Sequence, residues 1–78
     1  MRPVDLLAFE ARFPRHTPEK DETIRRELGM TPVRFYQLLI RAAADADGIR
    51  AHPITARQVR DRAASRAAAC ERRTRIAA

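Results

Sequence analysis

Two Thr-Pro pairs, Thr17–Pro18 and Thr31–Pro32, bracket a short segment that closes on Gly29. A threonine ahead of a proline is a helix start. Its hydroxyl accepts from first-turn N–H groups, and proline, lacking an N–H and fixed in φ, suits the first helical position. Glycine supplies the left-handed residue that ends a helix. The spacing therefore predicts one helix over 18–28 and another opening at 32, joined by a short turn.

The same punctuation extends along the rest of the chain. Pro3, Asp5 and an apolar face of Leu6, Phe9 and Phe13 predict a helix over 3–13, halted by Pro14. Phe35, Leu38, Leu39 and Ala42 recur at i, i+3, i+4, i+7 and carry the third helix to about residue 46. Asp47, Gly48 and Pro53 read as a loop. Thr55 with Gln58 forms a capping box, and Ile54 with Val59 occupies the two staple positions, so a fourth helix is expected to start at Ala56. Ala and Arg favour helix as far as Ala78, with the end placed near 75. The expected fold is all-α, a small four-helix domain with helices at about 3–13, 18–28, 32–46 and 56–75. Residues 1–62 form its core domain and residues 63–78 a basic Ala/Arg-rich helical extension.

A chain of 78 residues can bury only a small core, and fifteen of its residues are Ala, which bury little each. The core is expected to rest on Val4, Leu6, Leu7, Phe9, Phe13, Ile24, Leu28, Met30, Phe35, Leu38, Leu39, Ile40 and Val59. A core that small leaves no room for a buried catalytic cavity. His16 and His52 stand beside turn prolines with no further His or Cys at ligand spacing, and Cys70 lies in an Ala/Arg segment with no base near it. The glycines, Gly29 and Gly48, make no phosphate loop. No enzyme, cofactor or metal is expected. The lone cysteine and the lack of any run of signal-peptide or membrane-span length point to a reducing cytoplasm and away from a membrane.

Counted outward from Gly29, Ile24 and Leu28 fill the apolar places of a first helix, Met30 plugs the turn, and Phe35 and Leu38 fill those of a second. That is the pattern by which a helix-turn-helix packs two helices steeply across a short turn. The segment ETIRRELGMTPVRFYQLL resembles the helix-turn-helix elements of bacterial transcription regulators, with Arg25 where many have a small Ala. Over about residues 4–62, LLAFEARF, IRRELGMTPVRFYQLLIRA and HPITARQVR make the chain similar to a family of short actinobacterial and actinophage helix-turn-helix proteins. It departs from them in lacking a Trp after AFE and in its Ala/Arg tail. The resemblance implies a fold and no particular activity.

Charge supplies the functional expectation. Residues 1–47 carry eight basic and eight acidic side chains, whereas residues 48–78 carry eight Arg against Asp61 and Glu71, so the whole net charge of +6 lies in the last third. Such a block suits a polyanion, nucleic acid first and an anionic membrane surface second, and the partner expected here is double-stranded DNA. Coding bias toward Arg and Ala explains the preference for Arg over Lys, but not the thinning of acidic residues. With Phe35, Leu38 and Ala42 inward, helix 32–46 would present Val33, Arg34, Tyr36 and Gln37 to the major groove: Arg for guanine, Gln for adenine, Val for a thymine methyl. Thr31, Arg41, Arg57, Arg62, Arg66 and Arg73 are the expected phosphate contacts. Sequence-specific DNA binding in transcription regulation, in the nucleoid, is thus one reading. The other is a protein-interaction module on the same scaffold, docking on transcription machinery or another protein. The Ala56, Val59, Ala63, Ala67, Cys70 stripe also offers a way to pair with a second copy.

Overall fold

The computed structural model describes residues 1–77; Ala78, to which helix was expected to extend, lies outside them. The architecture is all-α, with no strand among the described residues. Helix α1 spans Pro3–Arg12. Helix α2 spans Pro18–Thr23 and continues into a π-helical turn, Ile24–Leu28. Helices α3, α4 and α5 span Pro32–Ala42, Ala46–Ala51 and Pro53–Ala77.

The two threonine caps form as their chemistry dictates: Thr17 Oγ1 accepts from the Lys20 N–H at 3.1 Å and Thr31 Oγ1 from the Arg34 N–H at 3.2 Å. Gly29 adopts φ 65°, the left-handed conformation that stops α2. The five apolar places counted from it all join the core, Ile24 and Phe35 fully buried and Leu28, Met30 and Leu38 packed on its edge.

Three expectations are corrected. Four helices become five, because the third ends at Ala42 and α4 fills the segment read as a loop. Asp45 caps α4, its carboxylate accepting from the N–H groups of Asp47 at 3.0 Å and Gly48 at 3.1 Å. The last helix starts at Pro53 rather than Ala56, with the Ala56 N–H bonded to the His52 carbonyl at 2.9 Å. Thr55 therefore lies inside α5, and Ile54 is 73% exposed, so neither capping box nor staple exists. Pro53 was the helix start, as proline is at residues 3, 18 and 32. The core face of α3 is also turned: Phe35, Leu39, Ala42 and Ala43 are buried, Leu38 is half-buried and Ile40 is exposed. Two consecutive alanines let the end of α3 lie close to its neighbours, which large side chains would prevent.

Helix α1 packs most extensively on α3, while α4 bridges α1 and α5. Phe9 of α1 meets Phe35 of α3 edge to face, ring centroids 5.3 Å apart, at the centre of the core. Gly48 lets α4 approach α1 and α3: a Cβ there would lie 2.7 Å from the Ala42 carbonyl oxygen and 2.8 Å from Leu7 Cδ1. Ala56 and Val59 are the α5 side chains buried in that core, so most of α5 extends past it. No break separates residues 62 and 63; both belong to one continuous helix.

Candidate functional site

The most specific polar structure lies where α1, α2, α3 and α5 meet. Glu10, on the α1 face that also carries Leu6 and Phe13, is 1% exposed, and Lys20 of α2 is 2% exposed. Lys20 Nζ donates to Glu10 Oε1 at 2.5 Å, and Arg62 Nη2 donates to Glu10 Oε2 at 2.9 Å. One buried carboxylate thus serves two cations from different helices. The Lys20 ammonium also lies over the rings of Tyr36 and Phe35, 5.2 and 5.8 Å from their centroids. Lysine at this one position, in a chain with fifteen arginines, was the sequence signal for the triad.

His16, in the connection between α1 and α2, borders the triad. Its Nε2 is 3.3 Å from Arg62 Nη1, its ring lies 4.9 Å from that of Tyr36, and Arg62 Nη1 also reaches the Pro14 carbonyl at 3.4 Å. Burial lowers the His16 pKa from 6.5, and the positive charge of Lys20 lowers it further, with Arg62 and Arg66 acting the same way and Glu10 opposing. Burial pushes the Tyr36 phenol up to about 12, aided by the negative charges of Glu10 and Asp21. The Tyr36 hydroxyl is buried without a protein partner. It borders a cavity of about 10 Å³, the volume of one water, lined by Glu10, His16, Tyr36, Leu39, Ile40, Val59, Arg62 and Arg66.

These neighbourhoods sort the expected DNA-contacting residues. Val33, Arg34 and Gln37 lie exposed on the outward side of α3, with Arg41 further along the helix. Tyr36 does not share that side: its hydroxyl is buried and its ring is held by His16, Phe35 and Lys20. Arg62, expected to face a phosphate, is also a partner of the buried Glu10, which orients its guanidinium, while its own side chain stays 36% exposed. Thr31 caps α3 through its oxygen, leaving the hydroxyl proton to donate. Arg57 is exposed and 3.9 Å from Asp61. Arg60 donates to the Ala43 carbonyl at 2.7 Å, tying α5 to the end of α3.

Arg66 and Arg73 make no ion pair or hydrogen bond among the described residues. At about 100° per residue, Arg62, Arg66 and Arg73 project within about 40° of one another around α5. This stripe starts at the cleft beside α3, because Ile40 of α3 and Arg66 of α5 line the same cavity. Ile40 and Arg66 are both exposed, so the edge of α3 that carries Ile40 lies beside the arginine stripe of α5 at this point. Sequence reading gave Glu10, His16 and Lys20 no role, yet Glu10 and Lys20 tie α1, α2 and α5 together and His16 touches both Tyr36 of α3 and Arg62 of α5.

Among the described residues no group of three His, Cys, Asp or Glu could hold a metal ion, and no helix is long and apolar enough to cross a membrane. Cys70 is exposed and free. No curated protein and no solved structure matches the chain. A family model, described as a protein of unknown function (DUF3263), matches residues 1–73. With its whole core and most of α5 inside that match, the chain belongs to the DUF3263 family.

Proposed function

We propose that this protein binds double-stranded DNA through a helix-turn-helix formed by α2 and α3, with α3 in the major groove and the α5 arginines along the phosphates, as a small nucleoid-associated regulator of transcription. The observation that carries the reading is that Ile40 of α3 and Arg66 of α5 are both exposed and line one small cavity, which sets the Val33, Gln37, Ile40 edge of α3 beside the arginine stripe. Arg34 and Gln37 supply chemistry for guanine and adenine edges, Val33 for a thymine methyl, and Thr31 and Arg41 for flanking phosphates. Arg57, Arg66 and Arg73 add sequence-independent affinity, reinforced by a net charge of +6.

A second reading has its own support. Val33 is 68% exposed and Ile40 44%, on the same side of α3 with Gln37 between them, a short apolar edge of the kind that docks on another protein, such as a component of transcription machinery.

Truncation after Ala64 separates the two. It removes Arg66, Arg72, Arg73 and Arg75 together with Glu71, and spares the buried core. For every phosphate that the shortened helix no longer neutralises, the slope of log affinity against log salt on random duplex DNA should flatten by about 0.9. Arg34→Ala and Gln37→Ala should instead reduce discrimination between specific and random sites by about 1–3 kcal/mol each. Salt-insensitive or undetectable duplex binding by the intact chain defeats the DNA reading and favours the apolar edge. Conversion of a dimer to a monomer by the same truncation would assign the α5 tail to self-association.

A further inference from the structure

We propose that the cleft formed by His16, Arg62, Ser65 and Arg66 is a discrete site for one phosphoryl oxyanion. Its basis is a charge imbalance that is built in. The buried carboxylate beside the cleft, Glu10, already accepts from both Lys20 and Arg62, so their two positive charges face one negative charge. Arg66 adds a third cation one turn along α5 with no ion-pair partner among the described residues, and it lines the cleft together with His16, Arg62 and Ser65. Asp61 is the nearest acid along α5, but it belongs to a separate depression with Pro14, Gln58 and Arg62 and lies 3.9 Å from Arg57.

The site is also prearranged. Glu10, the Pro14 carbonyl and the Gln58 carbonyl hold the Arg62 guanidinium, whose side chain remains 36% exposed toward solvent. A guanidinium fixed in this way loses little freedom when it donates to an oxyanion. Ser65 and Arg66 line the same cleft and carry a hydroxyl and a guanidinium that can donate. His16 borders the set. It is surrounded by Lys20, Arg62 and Arg66 against Glu10 alone, with the neutral Tyr36 phenol stacked beside it, and its Nε2 accepts from Arg62 Nη1 at 3.3 Å, so its ring reports on an anion that arrives at Arg62. A tetrahedral phosphoryl group matches this convergence of donors. The same chemistry serves a free phosphate or a nucleic-acid backbone, and the site does not depend on the DNA reading.

The test titrates inorganic phosphate into the full chain at constant ionic strength and follows the ring resonances of His16 by NMR. Variants Arg66→Gln and Arg73→Gln remove equal charge from the same stripe, the first inside the cleft and the second beyond it. A saturable His16 shift, with affinity reduced about tenfold by Arg66→Gln and less than about twofold by Arg73→Gln, is expected. Displacement of phosphate by random duplex DNA assigns the ligand to the nucleic-acid backbone; retention of phosphate assigns it to a free phosphate or small phosphorylated molecule. Both outcomes uphold the site. A shift that fails to saturate, or that both variants weaken equally, reduces it to diffuse surface charge and overturns the proposal.

Discussion

Arg62 Nη2 donates to Glu10 Oε2 at 2.9 Å across 52 residues of sequence, binding the long C-terminal helix to the first helix through a carboxylate that is 1% exposed. The same carboxylate holds the Lys20 ammonium, so α1, α2 and α5 share one buried anion. Removing it leaves two cations, one of them fully buried, without a counter-charge.

Glu10→Gln should therefore destabilise the fold by about 3–5 kcal/mol, the range for breaking a buried ion pair from one side. Chemical denaturation checks this. In a domain this small the loss approaches the whole of its stability. A stability within about 0.5 kcal/mol of the parent would mean that water solvates Lys20 and Arg62 in solution.

Leu39→Ala should cost about 2–5 kcal/mol, and Leu38→Ala distinctly less. Leu39 is 2% exposed among Phe35, Ala42 and Ala43, whereas Leu38 is half-buried at the edge. Thermal melts of the two variants rank them. The reverse order would show that α3 is rotated about its axis relative to the core.

The two glycines should respond differently to the same substitutions. Gly29 has open space around it but φ 65°, so Gly29→Ala should cost about 1–2 kcal/mol and Gly29→Asn, which tolerates that conformation, less. Gly48 is crowded, with its missing Cβ 2.7 Å from backbone, so Gly48→Ala should be destabilising and Gly48→Asn worse. Denaturant midpoints for the four variants test both mechanisms, and an Asn more favourable than Ala at residue 48 would contradict the steric one.

Stability should fall as pH drops below 6.5, through His16. Its pKa is lowered in the folded state, chiefly by burial and then by Lys20, so the unfolded chain takes up a proton before the folded chain does. Protonation then favours unfolding, and stability present above pH 6.5 declines until the folded-state pKa is passed. The difference in melting temperature between the parent and His16→Gln, measured from pH 7.5 down to about 5, isolates this from carboxylate titration. A pH-independent difference would remove His16 from the charge network.

Helix content and the turn between α2 and α3 were legible in the chain because their causes are local. Thr17, Thr31 and Gly29 act on backbone groups within about four residues, and Pro3, Pro18 and Pro32 fix their own φ. Pro53 carried the same signal, but Thr55 and Gln58 imitated a later cap so well that α5 was expected three residues late. Asp45 signalled α4, yet six residues give too little periodicity to register as a helix beside Gly48.

What the sequence determined alone was therefore the all-α class, the caps, the left-handed Gly29 and the concentration of positive charge in the last third of the chain. Tertiary structure decided which arginines a protein partner holds in place. Arg62 and Arg66 are indistinguishable by propensity and differ by one helical turn, yet only Arg62 comes within reach of Glu10 once α5 packs against α1. Likewise Tyr36 is turned inward by His16 and Lys20, and Gly48 is required by Ala42 and Leu7. Each of these depends on the relative placement of two helices. A local pattern specifies a helix and its amphipathic stripe, but not the depth at which a given side chain on that stripe meets its neighbours.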